Sequence, residues 1–182
     1  MNKKVVFVPG WMDTAKNRVD FDGIDVWKEN LPLNQKIEAE HIIGHSAGAN
    51  YALFNWRNNK NSKLILVNPA IARRGIFKWL FRMVGFWIFE GTSLSKERIK
   101  SFKHFFSLVP KIIKLLKVDL IPIIFEIPRE NLTIIRGKND RFMFDQKIAG
   151  ELKTKGIKII EIEEAGHHWN KKIREEIDKI IN

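Results

Sequence analysis

Gly44-His45-Ser46-Ala47-Gly48 sets a serine between two glycines. A short apolar run, His41-Ile42-Ile43, leads into it, and a helix-compatible run, Ala49-Asn50-Tyr51-Ala52-Leu53-Phe54, leads out. G-x-S-x-G at a strand-to-helix turn holds the serine in a strained backbone conformation with its hydroxyl pushed outward. The flanking glycines remove side chains that would collide where strand and helix cross. A helix starting at Ala47 directs free N–H groups and a positive dipole end at any oxyanion formed beside Ser46. The chemistry this suits is nucleophilic attack on a carbonyl, which needs a base for the serine proton and a group that orients the base. The plainer reading is a Gly-rich turn whose serine caps a helix. The strand before and the helix after favour the chemical reading.

The partners are sought at other loops. Gly137-Lys138-Asn139-Asp140 follows the apolar run Leu132–Arg136, and a carboxylate there can accept Nδ1–H of a histidine. Taken alone, Asn-Asp is an ordinary turn. Ala165-Gly166-His167-His168-Trp169 follows the last apolar run and precedes a helical pattern from Lys171 to Ile181. His167, directly after the glycine, is the preferred base, and His168 is expected to point the other way. The order Ser…Asp…His then fits a Ser46, Asp140, His167 triad. Asp145 ranks below Asp140 because it falls within or just before the next helix. Val8-Pro9-Gly10-Trp11 closes the first apolar run, so the backbone N–H of Trp11 is expected to join that of Ala47 as an oxyanion hole.

These loops need a frame that brings them to one edge. Apolar runs at Lys4–Val8, His41–Gly44, Lys63–Val67, Leu132–Arg136 and Ile157–Ile162 alternate with helical segments. That alternation predicts an α/β architecture: a doubly wound, mostly parallel sheet of about five to six strands. Ligands of such sheets bind at the carboxyl ends of the strands. Gly10-Trp11, Ser46, Asn68-Pro69, Asp140 and His167 all follow strand ends.

The chain of 182 residues reads as one domain, 1–182. A stretch at about 70–128 breaks the alternation. Within it, Ile76–Phe89 is apolar almost all round, although Lys78 and Arg82 argue against a bilayer span. Ser95 is predicted to cap a helix from Lys96 to Val109, and Pro110 to open a second at Lys111. The whole stretch reads as a helical insertion over the carboxyl edge of the sheet.

Composition narrows the classes. There is no cysteine, which excludes disulfides, thiolate catalysis and thiolate zinc sites. No histidine pair stands at helical ligand spacing, so no metal and no other cofactor is expected. The net charge is +11, which fits an anionic partner surface. No zinc spacing, RNA-binding aromatic motif or basic tail is present, and no nucleic-acid partner is expected. The first apolar run is too short for a signal segment, and a cytoplasmic location is expected.

Together, the elbow at Gly44–Gly48, the acid loop at Gly137–Asp140, the base loop at Gly166-His167 and the turn at Pro9-Gly10-Trp11 resemble a small α/β-hydrolase. The resemblance runs from Lys3 to Ile181. It implies a cofactor-independent serine hydrolase of esterase type, acting through an acyl-enzyme on a small or medium apolar carboxylic ester. Thioester, amide and C–C bond hydrolysis use similar machinery. A serine nucleophile, where relatives use aspartate, speaks against dehalogenase and epoxide hydrolase chemistry. Two other readings are weighed: a lipid-directed, lipase- or thioesterase-like enzyme docking on an anionic membrane through a basic cap, and a non-catalytic binding module on the same fold.

The chain departs from the family pattern. It starts at what would be the family's third strand, and Pro9 replaces the usual histidine of the oxyanion loop, which leaves Trp11 or Met12 as the second oxyanion donor. The interval from Gly10 to Ser46 is short, so either a strand near Gly23–Val26 is vestigial or a helix is missing. The insertion falls where the family carries its cap. Trp79, Phe81, Trp87, Phe102, Phe105 and Phe106 are candidates to line a substrate pocket, with most of them expected in the core.

Overall fold

Alternate residues of the central strands are sorted between two cores. Val6, Val8, Ile42, Leu64, Leu66 and Ile134 face one, while Phe7, Ile43, Ile65, Val67 and Ile135 face the other. A strand turns successive side chains to opposite faces, so continuous Val/Ile/Leu runs fit only a sheet covered on both sides. The computed structural model describes residues 3–11, 13, 15, 21–27, 29–71, 76–89 and 105–182. Its strands are β1 (Lys3–Val8), β2 (Asp22–Gly23), β3 (Ala39–His45), β4 (Lys63–Val67), β5 (Leu132–Gly137) and β6 (Ile159–Ile162). They form a six-stranded sheet in the order β2-β1-β3-β4-β5-β6. Every neighbouring pair is parallel.

The described helices are α1 (Ala47–Phe54), α2 (Ile76–Phe89), α3 (Phe105–Lys117), α4 (Ile121–Glu126), α5 (Gln146–Thr154) and α6 (Lys171–Ile181). Ala49 and Leu53 of α1, Ile112 and Leu115 of α3, Ile124 of α4 and Leu152 of α5 fill the first core. Ile173 and Ile177 of α6 fill the second. Each such buried aliphatic side chain contributes roughly 1.5–3 kcal/mol, so the sheet and its helices hold one another in place. Because the chain passes from β1 to β2 and returns across β1 to β3, the order reverses between β1 and β3. That places a crevice at the carboxyl ends of these two strands.

The open alternative near Gly23–Val26 is resolved as a vestigial strand, and three expectations change. The strand sought near Gly23–Val26 exists only as Asp22–Gly23, paired with Val6 and Phe7. Asp and Gly are poor strand formers, and this pair sits at an edge. Between β2 and β3 the described residues form turns and no helix. Side chains pin those turns: Trp27 Nε1–H donates to the Pro9 carbonyl at 2.7 Å and Tyr51 Oη–H to the Pro32 carbonyl at 2.6 Å. The last strand starts at Ile159 because Ile157 belongs to the end of α5. Gly156, at φ +79°, terminates that helix, and Ile157 N–H returns to the Leu152 carbonyl.

The other two changes concern the insertion. Pro110 lies inside a continuous α3 and opens no new helix. Its missing N–H removes a single intrahelical bond. Phe81, a candidate for the core or a pocket wall, is exposed on α2. The predicted helix start at Ser95 and the side chains of Trp79, Trp87, Phe102, Phe105 and Phe106 lie outside the described residues. Among the described residues no helix is long and apolar enough to cross a membrane.

Candidate active site

Ser46 sits at the β3–α1 junction with φ 54° and ψ −122°. A non-glycine residue held there is strained by about 1–3 kcal/mol, which the surrounding packing must offset. Ser46 N–H donates to the Val67 carbonyl at 2.9 Å, fixing the turn to β4. A Cβ on Gly44 would lie 2.5 Å from Ala49 Cα, and one on Gly48 would lie 2.2 Å from the Val8 carbonyl oxygen. Both glycines are therefore steric requirements of the crossing. The serine occupies the N-cap position of α1, yet its side chain makes no capping hydrogen bond. This separates the two readings of the motif: the hydroxyl is turned away from its own helix.

It is turned to a histidine. Ser46 Oγ and His167 Nε2 are 2.8 Å apart, and His167 Nδ1 and Asp140 Oδ2 are 2.8 Å apart. The sequence-predicted Ser46, Asp140 and His167 are thus brought together from the ends of β3, β5 and β6. Asp140 is fully buried. Its other oxygen accepts from Met143 N–H at 2.9 Å and from Phe142 N–H at 3.2 Å. Burial pushes its carboxyl pKa up, but the hydrogen bond and charge of His167 and the backbone N–H donors outweigh that and hold it below the ordinary value. An ionised carboxylate only accepts, so the imidazole proton sits on Nδ1. Nε2 then presents its lone pair to the Ser46 hydroxyl.

The two loops are fastened from below. Asn139 N–H donates to the Ala165 carbonyl at 2.8 Å. Buried Arg136 donates to the carbonyl of Phe144 at 2.8 Å and pairs with Glu161 at 2.9 Å. Asn68, fully buried at the end of β4 with φ +46°, joins both loops. Its Oδ1 accepts from Gly137 N–H at 2.8 Å, and its Nδ2 donates to the carbonyls of Gly166 at 3.0 Å and His167 at 2.9 Å. The His167 carbonyl also accepts from His45 Nε2–H at 2.9 Å. The sequence marked Asn68 only by its place after a strand, since nothing local announces partners about a hundred positions away.

The expected oxyanion donors, the N–H groups of Ala47 and Trp11, belong to the residues next to Ser46 and Gly10 in the chain, and the alternative Met12 lies outside the described residues. Ala47 opens α1, so its N–H is one of those a helix leaves without an intrahelical acceptor. Trp11 follows Gly10, whose absent Cβ would stand 3.2 Å from Ser46 Cβ. Asp145, the reserve acid, is engaged elsewhere: it caps α5 through Ile148 N–H and pairs with Arg82 of α2 at 3.2 Å. Among the described residues no group of three or more His, Asp or Glu could hold a metal ion.

No protein-family model and no curated protein sequence matches the chain. Solved structures do. One is MGS-M2, an α/β-hydrolase enzyme from a Medee basin deep-sea metagenome library, with a TM-score of 0.62 at 14% identity, covering 99% of this chain and 88% of that one. Another is a carboxylesterase structure from the thaumarchaeon Nitrososphaera gargenis, with a TM-score of 0.55 at 13% identity, covering 99% and 88%. A third is the thioesterase domain of the curacin biosynthetic pathway, with a TM-score of 0.56 at 11% identity, covering 99% and 91%. The chain has the α/β-hydrolase fold. At these identities the likeness is one of architecture.

Proposed function

We propose that the protein is a serine hydrolase that cleaves small or medium apolar carboxylic esters through an acyl-enzyme. The observation that carries the reading is the Ser46 hydroxyl, turned from its helix cap to within 2.8 Å of His167 Nε2. A helix-capping serine has no need of that contact. In this reading Ser46 Oγ attacks the carbonyl carbon as its proton passes to His167 Nε2. Asp140 stabilises the imidazolium, and the N–H groups of Ala47 and Trp11 hold the oxygen as it becomes negative. The tetrahedral species collapses, the C–O bond breaks, and the leaving alcohol takes the proton from His167. Water, deprotonated by the same His167, then releases the acid and restores Ser46. In this reading α2, seated on the loop that carries Asp140, serves as part of a cap over this edge.

The ester assignment draws support from the carboxylesterase and thioesterase likenesses. A binding module that merely kept the fold would not need the three side chains within hydrogen-bond reach. The test is a chain-length series of p-nitrophenyl esters. Wild type is expected to turn over short and medium acyl chains, and Ser46→Ala to lose at least about 10³-fold in kcat. Equal rates in the two proteins would remove the proposal.

Asn68 bears on the same reading as a positioning residue. Asn68→Gly keeps the positive φ and deletes all three side-chain bonds. It is expected to lower kcat by about 10–100-fold with KM little changed, because a shift of about 1 Å at the base costs that much. A change confined to KM would show that Asn68 does not position His167.

A further inference from the structure

Helix α2 turns its apolar face outward. Phe77 and Phe81 are each 78% exposed, Ile88 is 69% exposed and Val84 is 50% exposed. At 3.6 residues per turn these four positions fall within an arc of about 60°, forming one stripe along the helix. Beside the stripe the helix is anchored. Arg82 donates to the Phe142 carbonyl at 2.9 Å, and a Cβ on Gly85 would lie 2.7 Å from the Phe142 ring. The stripe is therefore held in its outward direction by contacts with the body. Exposed Lys78 flanks it. A stripe of large apolar residues left in water marks a surface that meets a partner.

Charge identifies the kind of partner. Residues 73–117 contain eleven Lys and Arg against two Glu, so this segment supplies most of the net charge of +11. A second copy would bring the same positive segment against itself. A polyphosphate chain would match the charge and leave the phenylalanines unburied. An anionic lipid surface satisfies both features: aromatic and aliphatic side chains enter the headgroup–acyl boundary while exposed Lys78 meets the phosphates. We propose that α2 is an interfacial helix that docks the protein on anionic membranes. The proposal is independent of the catalytic reading and needs no turnover to be tested.

The experiment is co-sedimentation with vesicles of phosphatidylcholine containing phosphatidylglycerol, against vesicles of phosphatidylcholine alone. Wild type should bind the anionic vesicles at least about tenfold more strongly, and raised salt should weaken the binding. Lys78→Glu should lower it about fivefold or more. The double variant Phe77→Ser/Phe81→Ser should lower it at least about 100-fold while its circular dichroism and thermal unfolding stay as in wild type. Equal binding to both vesicles, or none to either, would overturn the proposal. So would anionic binding that survives the double variant, since charge alone would then account for it. A wild-type dimer in sedimentation equilibrium that the double variant dissociates, without vesicle binding, would assign the stripe to a second copy.

Discussion

Asp140→Asn is expected to lower kcat by about 10⁴-fold with little change in KM. The reason lies in how the carboxylate is held. One oxygen accepts from the backbone N–H groups of Phe142 and Met143, and the other accepts from His167 Nδ1. In asparagine the carbonyl oxygen must face the two backbone donors, which leaves the amide NH₂ facing Nδ1. That geometry forces the imidazole proton onto Nε2, where it points at Ser46 and leaves no base. Fold and substrate contacts are otherwise retained, so the loss falls on kcat. A steady-state comparison across pH checks this, because a merely structural defect would also raise KM or expose the site to proteolysis.

The same residue predicts a pH dependence of stability. The Asp140 carboxyl lies below its ordinary 3.8 in the folded protein. Its ionised form therefore stabilises the fold fully above 3.8, and that stabilisation is lost as the pH falls through the lowered folded value. The stability difference between wild type and Asp140→Asn should be full at neutral pH and shrink below 3.8, which denaturant midpoints across the acid range can follow.

Gly48→Ala is expected to remove the stable fold, or to cost on the order of 4 kcal/mol where folding survives. The new Cβ would lie 2.2 Å from the Val8 carbonyl oxygen and 2.4 Å from that of Pro9, both backbone atoms at the end of β1. β1 is clamped between β2 and β3 and cannot retreat without losing its register. Over-packing against flexible side chains costs less, because they move aside. Gly150→Ala is the control: it lies in α5 with nothing within 4 Å of its Cβ position. That change should stabilise the helix by up to about 1 kcal/mol. Chemical denaturation of the two variants gives opposite signs if the elbow is sterically closed as described.

What could be read from the chain, and what could not, follows from the range of the interactions. The runs Lys63–Val67 and Leu132–Arg136 were legible because a strand buried on both faces must be apolar throughout, and the elbow because its glycines and flanking elements lie within a dozen residues. Ser46, Asp140 and His167 were legible because each follows a strand end, and a parallel sheet collects those ends on one edge. β2 was legible only as one of two alternatives because a two-residue edge strand has no period to detect. The role of Asn68 was hidden because its partners come from two distant loops. Phe81 was misplaced for a different reason. When a helix is apolar nearly all round, hydrophobicity cannot say which face turns outward. Here the contacts of Arg82 and Gly85 with Phe142 fix the orientation, and those are tertiary.

Ser46 is proposed as a nucleophile activated by His167. A fluorophosphonate probe, read by intact mass and peptide mapping of the purified protein, tests it most directly. One probe per chain is expected, attached at Ser46, absent in Ser46→Ala and strongly slowed in His167→Ala. Labelling at another residue, or wild-type protein that stays unmodified under conditions that label a control esterase, would contradict it.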